Sequence, residues 1–156
     1  MSDKLSPHFS LAEMTVSQTA IRRDIDNTPP AEIVENLATL CREVLEPIRS
    51  MEGVPLTVSS GYRCPRLNEA IRGSLKSRHM HGLAADFTIH GQLVTDTFRA
   101  IQKLDRSKPD FPLDKAILEF GRWIHVQMPL PGKEPKHAFL IASRVNGRTS
   151  YRKLKS

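Results

Sequence analysis

Residues 77–86 read Ser-Arg-His-Met-His-Gly-Leu-Ala-Ala-Asp and constrain this chain more than any other segment. Two candidate metal ligands in it, His79 and Asp86, lie seven positions apart, and a third, His125, belongs to the later run Trp-Ile-His-Val-Gln. Histidine nitrogens and a carboxylate oxygen, with one position left open, are what a hydrolytic zinc site needs. The spacing is not the i, i+4 spacing of a helical zinc motif, so the ligands have to come from a loop and two strands. The fold of the whole chain must therefore bring them together.

The length and composition are those of one soluble domain. With 156 residues, of which 39% are hydrophobic and 26% charged, the chain can bury about two-thirds of its unfolded surface. No run approaches the ~20 apolar residues of a membrane span, and the N-terminus has no apolar signal region. We therefore expect a single domain over residues 1–156, a monomer that is made in the cytoplasm and does not insert into a membrane.

The formal net charge is +6, and part of it is concentrated in residues 145–156, which we interpret as a basic tail. Such a tail is typical of a solvated terminus, of contact with an anionic surface such as a cell wall, or of nucleic-acid binding. Aromatic residues make up only 6% of the chain and no nucleic-acid-binding module is recognisable, so we expect no nucleic-acid partner. The basic residues near the end are Arg144, Arg148, Arg152, Lys153 and Lys155.

Helices are predicted mainly in the first third. Residues 1–29 are predicted to be a helical extension, in which Ser10 and Glu13 form a capping box for a helix over 11–18. From Ala31 to Ile48 the apolar residues recur on one helical stripe, which predicts a long helix. Pro47 removes one backbone hydrogen bond from that helix, so we expect a kink or an early end there.

The later part of the chain is richer in strands. Predicted strands cover 55–59, 83–89, 115–120, 123–128 and 137–144; a short helix begins near Cys64, 73–82 is loop, and a second long helix covers 95–104. Asp86 shares a strand face with Ala84 and Thr88, because side chains alternate along a strand. Helices first and hairpin-connected strands later indicate an α+β fold, with helices packed on a largely antiparallel β-sheet that carries the zinc site.

Three motifs together identify a resemblance. They are Ser59-Ser60-Gly61-Tyr62-Arg63, then Ser77-x-His79-x-x-Gly82-x-Ala84-x-Asp86, then Trp123-x-His125. In this order they resemble the zinc peptidases of the D-alanyl-D-alanine carboxypeptidase type, which include carboxypeptidases, dipeptidases and phage endolysins acting on peptidoglycan peptides. The resemblance covers roughly residues 30–128. It implies a fold similar to lysostaphin-type peptidases and hedgehog signalling proteins.

The resemblance also implies roles for individual residues. It implies that His79, Asp86 and His125 bind Zn²⁺, and zinc would lower the pKa of its water and polarise the scissile carbonyl. The matching arginine, Arg63, would bind the substrate and steady the developing oxyanion. Ser77 would either hydrogen-bond the substrate or support the loop that carries His79, and these two roles stay open.

The chain departs from the family pattern at the position of the general base. Many relatives have an acidic residue three positions before the last histidine ligand, and this chain has Arg122 there. The nearest acid is Glu119, six positions before His125, and His81 is the alternative acid or base.

Hairpin geometry decides whether Glu119 faces the metal. A two-residue turn at Gly121-Arg122 would pair Glu119 with Ile124 and place it on the face opposite His125. A three-residue loop over 120–122 with a glycine bulge would pair Glu119 with Trp123 and place it on the same face as His125. We favour the three-residue loop.

Two hypotheses for function follow. The first is a zinc metallopeptidase that hydrolyses an amide bond in peptidoglycan stem or cross-linking peptides. Without a predicted signal peptide, it resembles a phage or prophage endolysin that reaches the cell wall or periplasm after release from the host cytoplasm. The second is a non-catalytic zinc-stabilised protein of the same fold that binds the cell wall or takes part in virion assembly. Arg122, in place of an acid, keeps the second hypothesis open.

Overall fold

The computed structural model describes residues 3–155, so Met1, Ser2 and Ser156, which belong to the expected extension, tail and domain range, lie outside the described residues. The chain begins with a small hairpin, β1 (Lys4–Ser6) and β2 (Phe9–Ser10), followed by two short helices, α1 (Leu11–Thr15) and α2 (Gln18–Arg22). The Ser10 side chain accepts a hydrogen bond from the Glu13 backbone N–H at 3.1 Å, as the capping box predicts. The helix predicted over 11–18 is shorter, because Val16 is extended and Ser17 caps α2 instead.

The predicted long helix is present, but it does not end at Pro47. It consists of α3 (Ala31–Leu40), a π-helical segment (Cys41–Leu45) and α4 (Glu46–Glu52). Pro47 lies in the first turn of α4, directly after the wider π turns. Because proline has no N–H to donate, the wider turn accommodates the missing hydrogen bond without ending the helix. The expectation of an early end was therefore wrong.

A six-stranded sheet forms the other layer, in the order β3-β4-β6-β5-β7-β8. Its strands are β3 (Leu56–Ser60), β4 (Ala84–Ile89), β5 (Lys115–Glu119), β6 (Trp123–Gln127), β7 (Ala138–Val145) and β8 (Arg148–Lys153). All neighbours are antiparallel except β5 and β7, which are parallel. Between strands lie α5 (Pro65–Ala70), a 3₁₀ turn (Arg78–His81) inside the predicted loop, and α6 (Val94–Ser107). The predicted α+β fold with a largely antiparallel sheet is confirmed.

The two faces of the sheet have different partners. One face packs on the helices and forms the core, to which β4 contributes Ala85, Phe87 and Ile89, with Leu83 just before it. The opposite face therefore carries Asp86, on the side predicted from the alternation of the strand. Among residues 3–155, no helix has the length and apolar character that crossing a membrane requires.

The C-terminal residues include a strand that the sequence reading missed. Residues 148–153, interpreted as part of a basic tail, form β8, which is exposed throughout and pairs with β7. Asn146 and Gly147 make the connecting turn with φ of +52° and +73°. Asn-Gly is the dipeptide that favours a two-residue hairpin turn, so the signal was present in the sequence. The β7–β8 hairpin extends the sheet beyond β5.

Candidate functional site

His79 is held by the 3₁₀ turn that precedes β4. The Ser77 side chain accepts a hydrogen bond from the His79 backbone N–H at 3.2 Å, and the His79 Nδ1 atom lies 2.7 Å from the Gly61 carbonyl oxygen. A carbonyl can only accept, so Nδ1 carries the proton and Nε2 keeps its lone pair. Gly82 ends the turn with a φ of +68°. The imidazole is therefore oriented before any ligand binds.

Asp86 and His125 meet because they are cross-strand partners of β4 and β6. The Asp86 Oδ1 atom lies 2.9 Å from His125 Nδ1, and its Oδ2 atom lies 3.4 Å from His79 Nε2. The ring centroids of His79 and His125 are 5.2 Å apart, and the ring planes are inclined by 62°. One ligand atom from each of the three residues lies within 4.8 Å of the others. The structure thus brings together all three sequence-predicted metal ligands.

The donor set fits a metal cation. The His79 Nε2 lone pair faces a carboxylate oxygen at 3.4 Å, an arrangement of two electron-pair donors that a cation between them would stabilise. Imidazole nitrogen and carboxylate oxygen are zinc ligands, and the second nitrogen of each histidine is hydrogen-bonded to an oxygen of the protein. These three residues would hold the metal.

The pKa values of the three candidate ligands depend on their burial and on their contacts with one another. Burial lowers the pKa of His79, and Asp86 only partly offsets this, so His79 is neutral at neutral pH. Burial alone would raise the pKa of Asp86, but the hydrogen bond from His125 and its charge outweigh burial and keep the carboxyl ionised. For His125, burial is outweighed by the hydrogen bond to Asp86 and its charge, and the pKa is raised. The Asp86 carboxylate therefore favours the protonated form of His125, the imidazole next to it.

Glu119 lines the same cleft as the three candidate ligands. It pairs directly with Trp123, so the β5–β6 loop consists of residues 120–122, as favoured from the sequence. Phe120 and Gly121 have φ of +56° and +67°, and the Arg122 backbone N–H donates to the Glu119 carbonyl oxygen at 2.9 Å. Burial raises the pKa of the Glu119 carboxyl, His125 lowers it, and Asp86 raises it further, with a net rise. A carboxyl with a raised pKa is suited to accept a proton near neutral pH.

Arg63 and Ser77 also line this cleft. The Arg63 Nη2 atom lies 3.4 Å from the Ser77 Oγ atom, and burial lowers the pKa of the Arg63 guanidinium despite the charge of Asp86. Among residues 3–155, Arg63 Nε is one of two buried side-chain atoms without a hydrogen-bond partner. Ser77 therefore supports both Arg63 and the His79 turn.

The cleft has a volume of about 630 Å³ and a basic lining. The sequence reading did not select Lys76, Arg78, Lys115, Gln127, Leu140 and Tyr151, which also line it. They were missed because they come from separate strands and loops, and none belongs to a ligand motif. His81, the alternative base, is exposed and does not line the cleft. A larger depression, of about 870 Å³, lies between α1, α2 and residues 24–29, and none of the three ligands lines it.

A comparison with known families agrees with this geometry. The model of the peptidase M15 family matches residues 7–127. The chain belongs to the peptidase M15 family. The resemblance seen in the three motifs is confirmed, and the match includes the His79–Asp86–His125 cluster, Arg63 and Glu119. No curated protein matches the chain.

Membership in the M15 family supports a peptidase, and M15 peptidases are metal-dependent. The family match ends at Gln127, so β7 and β8 lie outside it. These two strands nevertheless contribute Leu140 and Tyr151 to the cleft. Part of the cleft wall of this M15 peptidase is therefore built outside the matched region.

Proposed function

We propose that this M15 peptidase is a zinc enzyme that hydrolyses an amide bond in peptidoglycan stem or cross-linking peptides. The observation that carries the proposal is the convergence of His79, Asp86 and His125 in one cleft with Glu119. A metal site with a carboxylate of raised pKa beside it is the arrangement for hydrolysis by an activated water. A structural zinc site would not require that carboxylate.

The position of each residue in the cleft indicates its proposed role. Zinc, when bound, would supply a Lewis acid that polarises the scissile carbonyl and acidifies water. Glu119 accepts a proton from the attacking water and returns it to the leaving amine. Arg63, whose side chain lines the cleft, donates hydrogen bonds to the substrate carbonyl oxygen as negative charge develops there.

The charge of the cleft supports a substrate with carboxylates. Four cationic side chains line it, against two acidic ones, Asp86 and Glu119. Peptidoglycan stem peptides carry free carboxylates, which lysine and arginine side chains bind through charge-assisted hydrogen bonds. The cationic side chains are Arg63, Lys76, Arg78 and Lys115.

We also propose that the enzyme serves as a phage or prophage endolysin that meets the cell wall from inside. The net charge of +6 and the exposed basic strand β8 support contact with anionic envelope polymers. Co-expression with a membrane-permeabilising protein tests this role. The culture should lyse only when both proteins are made, and unchanged turbidity would argue against the endolysin role.

The peptidase is tested by digesting purified sacculi with zinc-reconstituted protein and identifying the products by mass spectrometry. We expect new termini at one type of peptide bond, loss of activity with a chelator and recovery with zinc. Intact sacculi, together with zinc binding that stabilises the protein, would instead support the non-catalytic alternative. The same digest identifies the bond that is cleaved.

A further inference from the structure

A chain of hydrogen bonds connects Arg78 to His125 through Asp114 and Gln127. The Arg78 Nη1 atom lies 3.2 Å from Asp114 Oδ2, and the Gln127 Nε2 atom lies 3.1 Å from the same oxygen. The Gln127 Oε1 atom in turn lies 2.9 Å from His125 Nε2. Asp114, Gln127 and His125 are all buried. Since Arg78 is the residue before His79, the chain links the two segments that carry the histidine ligands.

The hydrogen-bond partners determine the direction of each bond. A carboxylate paired with a guanidinium accepts hydrogen bonds and donates none, so the Gln127 amide must present its NH₂ group to Asp114. Its carbonyl oxygen is then the atom that faces His125, and it can only accept. Both ring nitrogens of metal-free His125 thus face acceptors, Asp86 at Nδ1 and Gln127 at Nε2, but when Nδ1 binds a cation the proton of the neutral ring stays on Nε2. The lone pair is left on Nδ1, the nitrogen 2.9 Å from Asp86.

We infer that Gln127, oriented by Asp114 and Arg78, is a positioning residue that holds His125 in the tautomer whose Nδ1 atom faces Asp86. This inference rests on the proposed zinc site. It assigns a role to Asp114 and Arg78, which do not touch the ligand atoms of that site, and to a glutamine outside the three motifs. Partners that orient a ligating histidine commonly change metal affinity when they are removed.

The opposite orientation of Gln127 shows why the network matters. If the amide were turned over, its NH₂ group would face His125 Nε2 and favour the tautomer protonated on Nδ1. A proton would then lie between His125 and Asp86, where it competes with a metal for both side chains. Asp114→Asn permits this reversal, because an asparagine amide can donate to Gln127 Oε1. Gln127→Leu removes the acceptor while keeping a similar volume.

Zinc affinity is the first measurement, made by competition with a chromophoric chelator. We expect Asp114→Asn and Gln127→Leu to weaken zinc binding about 10- to 100-fold. Asp105→Asn is the matched control, since Asp105 is a largely buried carboxylate paired with another histidine, His137, at 2.7 Å. It should leave zinc affinity unchanged. Wild-type affinity in Asp114→Asn and in Gln127→Leu would overturn the inference.

The tautomer is the second measurement, and it does not depend on peptidase activity. Nitrogen-15 spectra of the zinc-loaded protein report which ring nitrogen of His125 is protonated. We expect the proton on Nε2 in the wild type and a mixture in Asp114→Asn. A wild-type proton on Nδ1 would overturn the inference even if a variant failed to fold. The expected zinc affinities and tautomer, together with intact sacculi, would contradict the proposed function only.

Discussion

Glu119 lies directly opposite Trp123 across the β5–β6 hairpin, and this pairing puts its carboxyl on the same face of the sheet as His125. The loop between them, residues 120–122, has three residues. Loss of one loop residue would move the pairing by one position and turn Glu119 to the other face. The register is supported by β7, whose Ala142 carbonyl oxygen accepts from the Phe120 backbone N–H at 3.0 Å.

Glu119→Gln should remove the proton acceptor but leave the metal site in place. We expect kcat to fall about 10²- to 10⁴-fold, since this is the range that a general base contributes. Zinc content, measured by atomic spectroscopy, should match the wild type, because Glu119 is not one of the three ligands. Glu134→Gln, at an exposed acid in the 129–135 loop, is the control and should keep full activity. An active Glu119→Gln enzyme would assign the base to another group.

Removal of the metal should abolish activity and also reduce stability. We expect chelation to lower the melting temperature and zinc to restore it, because a ligand that binds only the folded state stabilises it. Asp86→Asn should lose zinc binding, since the residue contributes the only carboxylate of the cluster. His90→Ala and His81→Ala alter exposed histidines and should bind zinc as the wild type does. An Asp86→Asn protein with wild-type zinc affinity would mean that the metal binds elsewhere.

The sequence predicts the ligands better than it predicts their surroundings. His79, Asp86 and His125 could be selected because they lie in three motifs whose residue types and order resemble those of a zinc peptidase family. The register of the β5–β6 hairpin needed a choice between two loop lengths. Gln127 and Asp114 could not be selected, because their partners are brought together by three separate segments and each polar residue alone resembles a surface residue.

Strand β8 was not predicted from the sequence, for a different reason. Its basic residues suggested a tail, and charge is a weaker indicator of structure than the Asn146-Gly147 turn that precedes it. Of the two outcomes expected at Pro47, a kink or an early end, the early end does not occur, for a third reason. A π-helical segment absorbs the missing hydrogen bond locally, and packing of the helix in the core continues on both sides of it.

A comparison of Gly82 with Gly91 separates the effect of a left-handed backbone from the effect of close packing. Gly82 and Gly91 have similar φ values, +68° and +75°, but their surroundings differ. A Cβ atom at Gly82 would lie 2.9 Å from Ile33 Cγ2 and from the Ile33 carbonyl oxygen, whereas one at Gly91 meets nothing within 4 Å. Gly82 belongs to the motif of the metal ligands, but the close contact of a side chain there would be with α3.

Gly82→Ala should therefore destabilise the protein more than Gly91→Ala. Both substitutions place alanine in a left-handed conformation, at a cost of roughly 1–2 kcal/mol. The clash with α3 should add about 1–3 kcal/mol at Gly82. Urea unfolding of the metal-free proteins measures the difference without a contribution from zinc. Equal losses of the free energy of unfolding would show that α3 moves aside.

Tyr151 lies in the same cross-strand row as Glu119, with Ala142 between them. Because alanine is small, it leaves room for the ring on the cleft face. Burial and the charge of Glu119 both raise the pKa of the Tyr151 hydroxyl. Tyr151 therefore forms part of the cleft wall beside the proposed base, in a strand outside the family match.

Tyr151→Ala should raise KM and also shift the pH profile. Activity needs ionised Glu119, so kcat/KM should rise with pH through a pKa above the ordinary glutamate value of about 4.3. Loss of the ring exposes Glu119 to water and reduces the effect of burial, which should move this acid limb to lower pH. Tyr151→Phe keeps the ring and should keep the wild-type limb. Zinc content measured at each pH separates protonation of Glu119 from loss of the metal. An acid limb that stays in place in Tyr151→Ala, with zinc retained, would show that the ring does not shield the base.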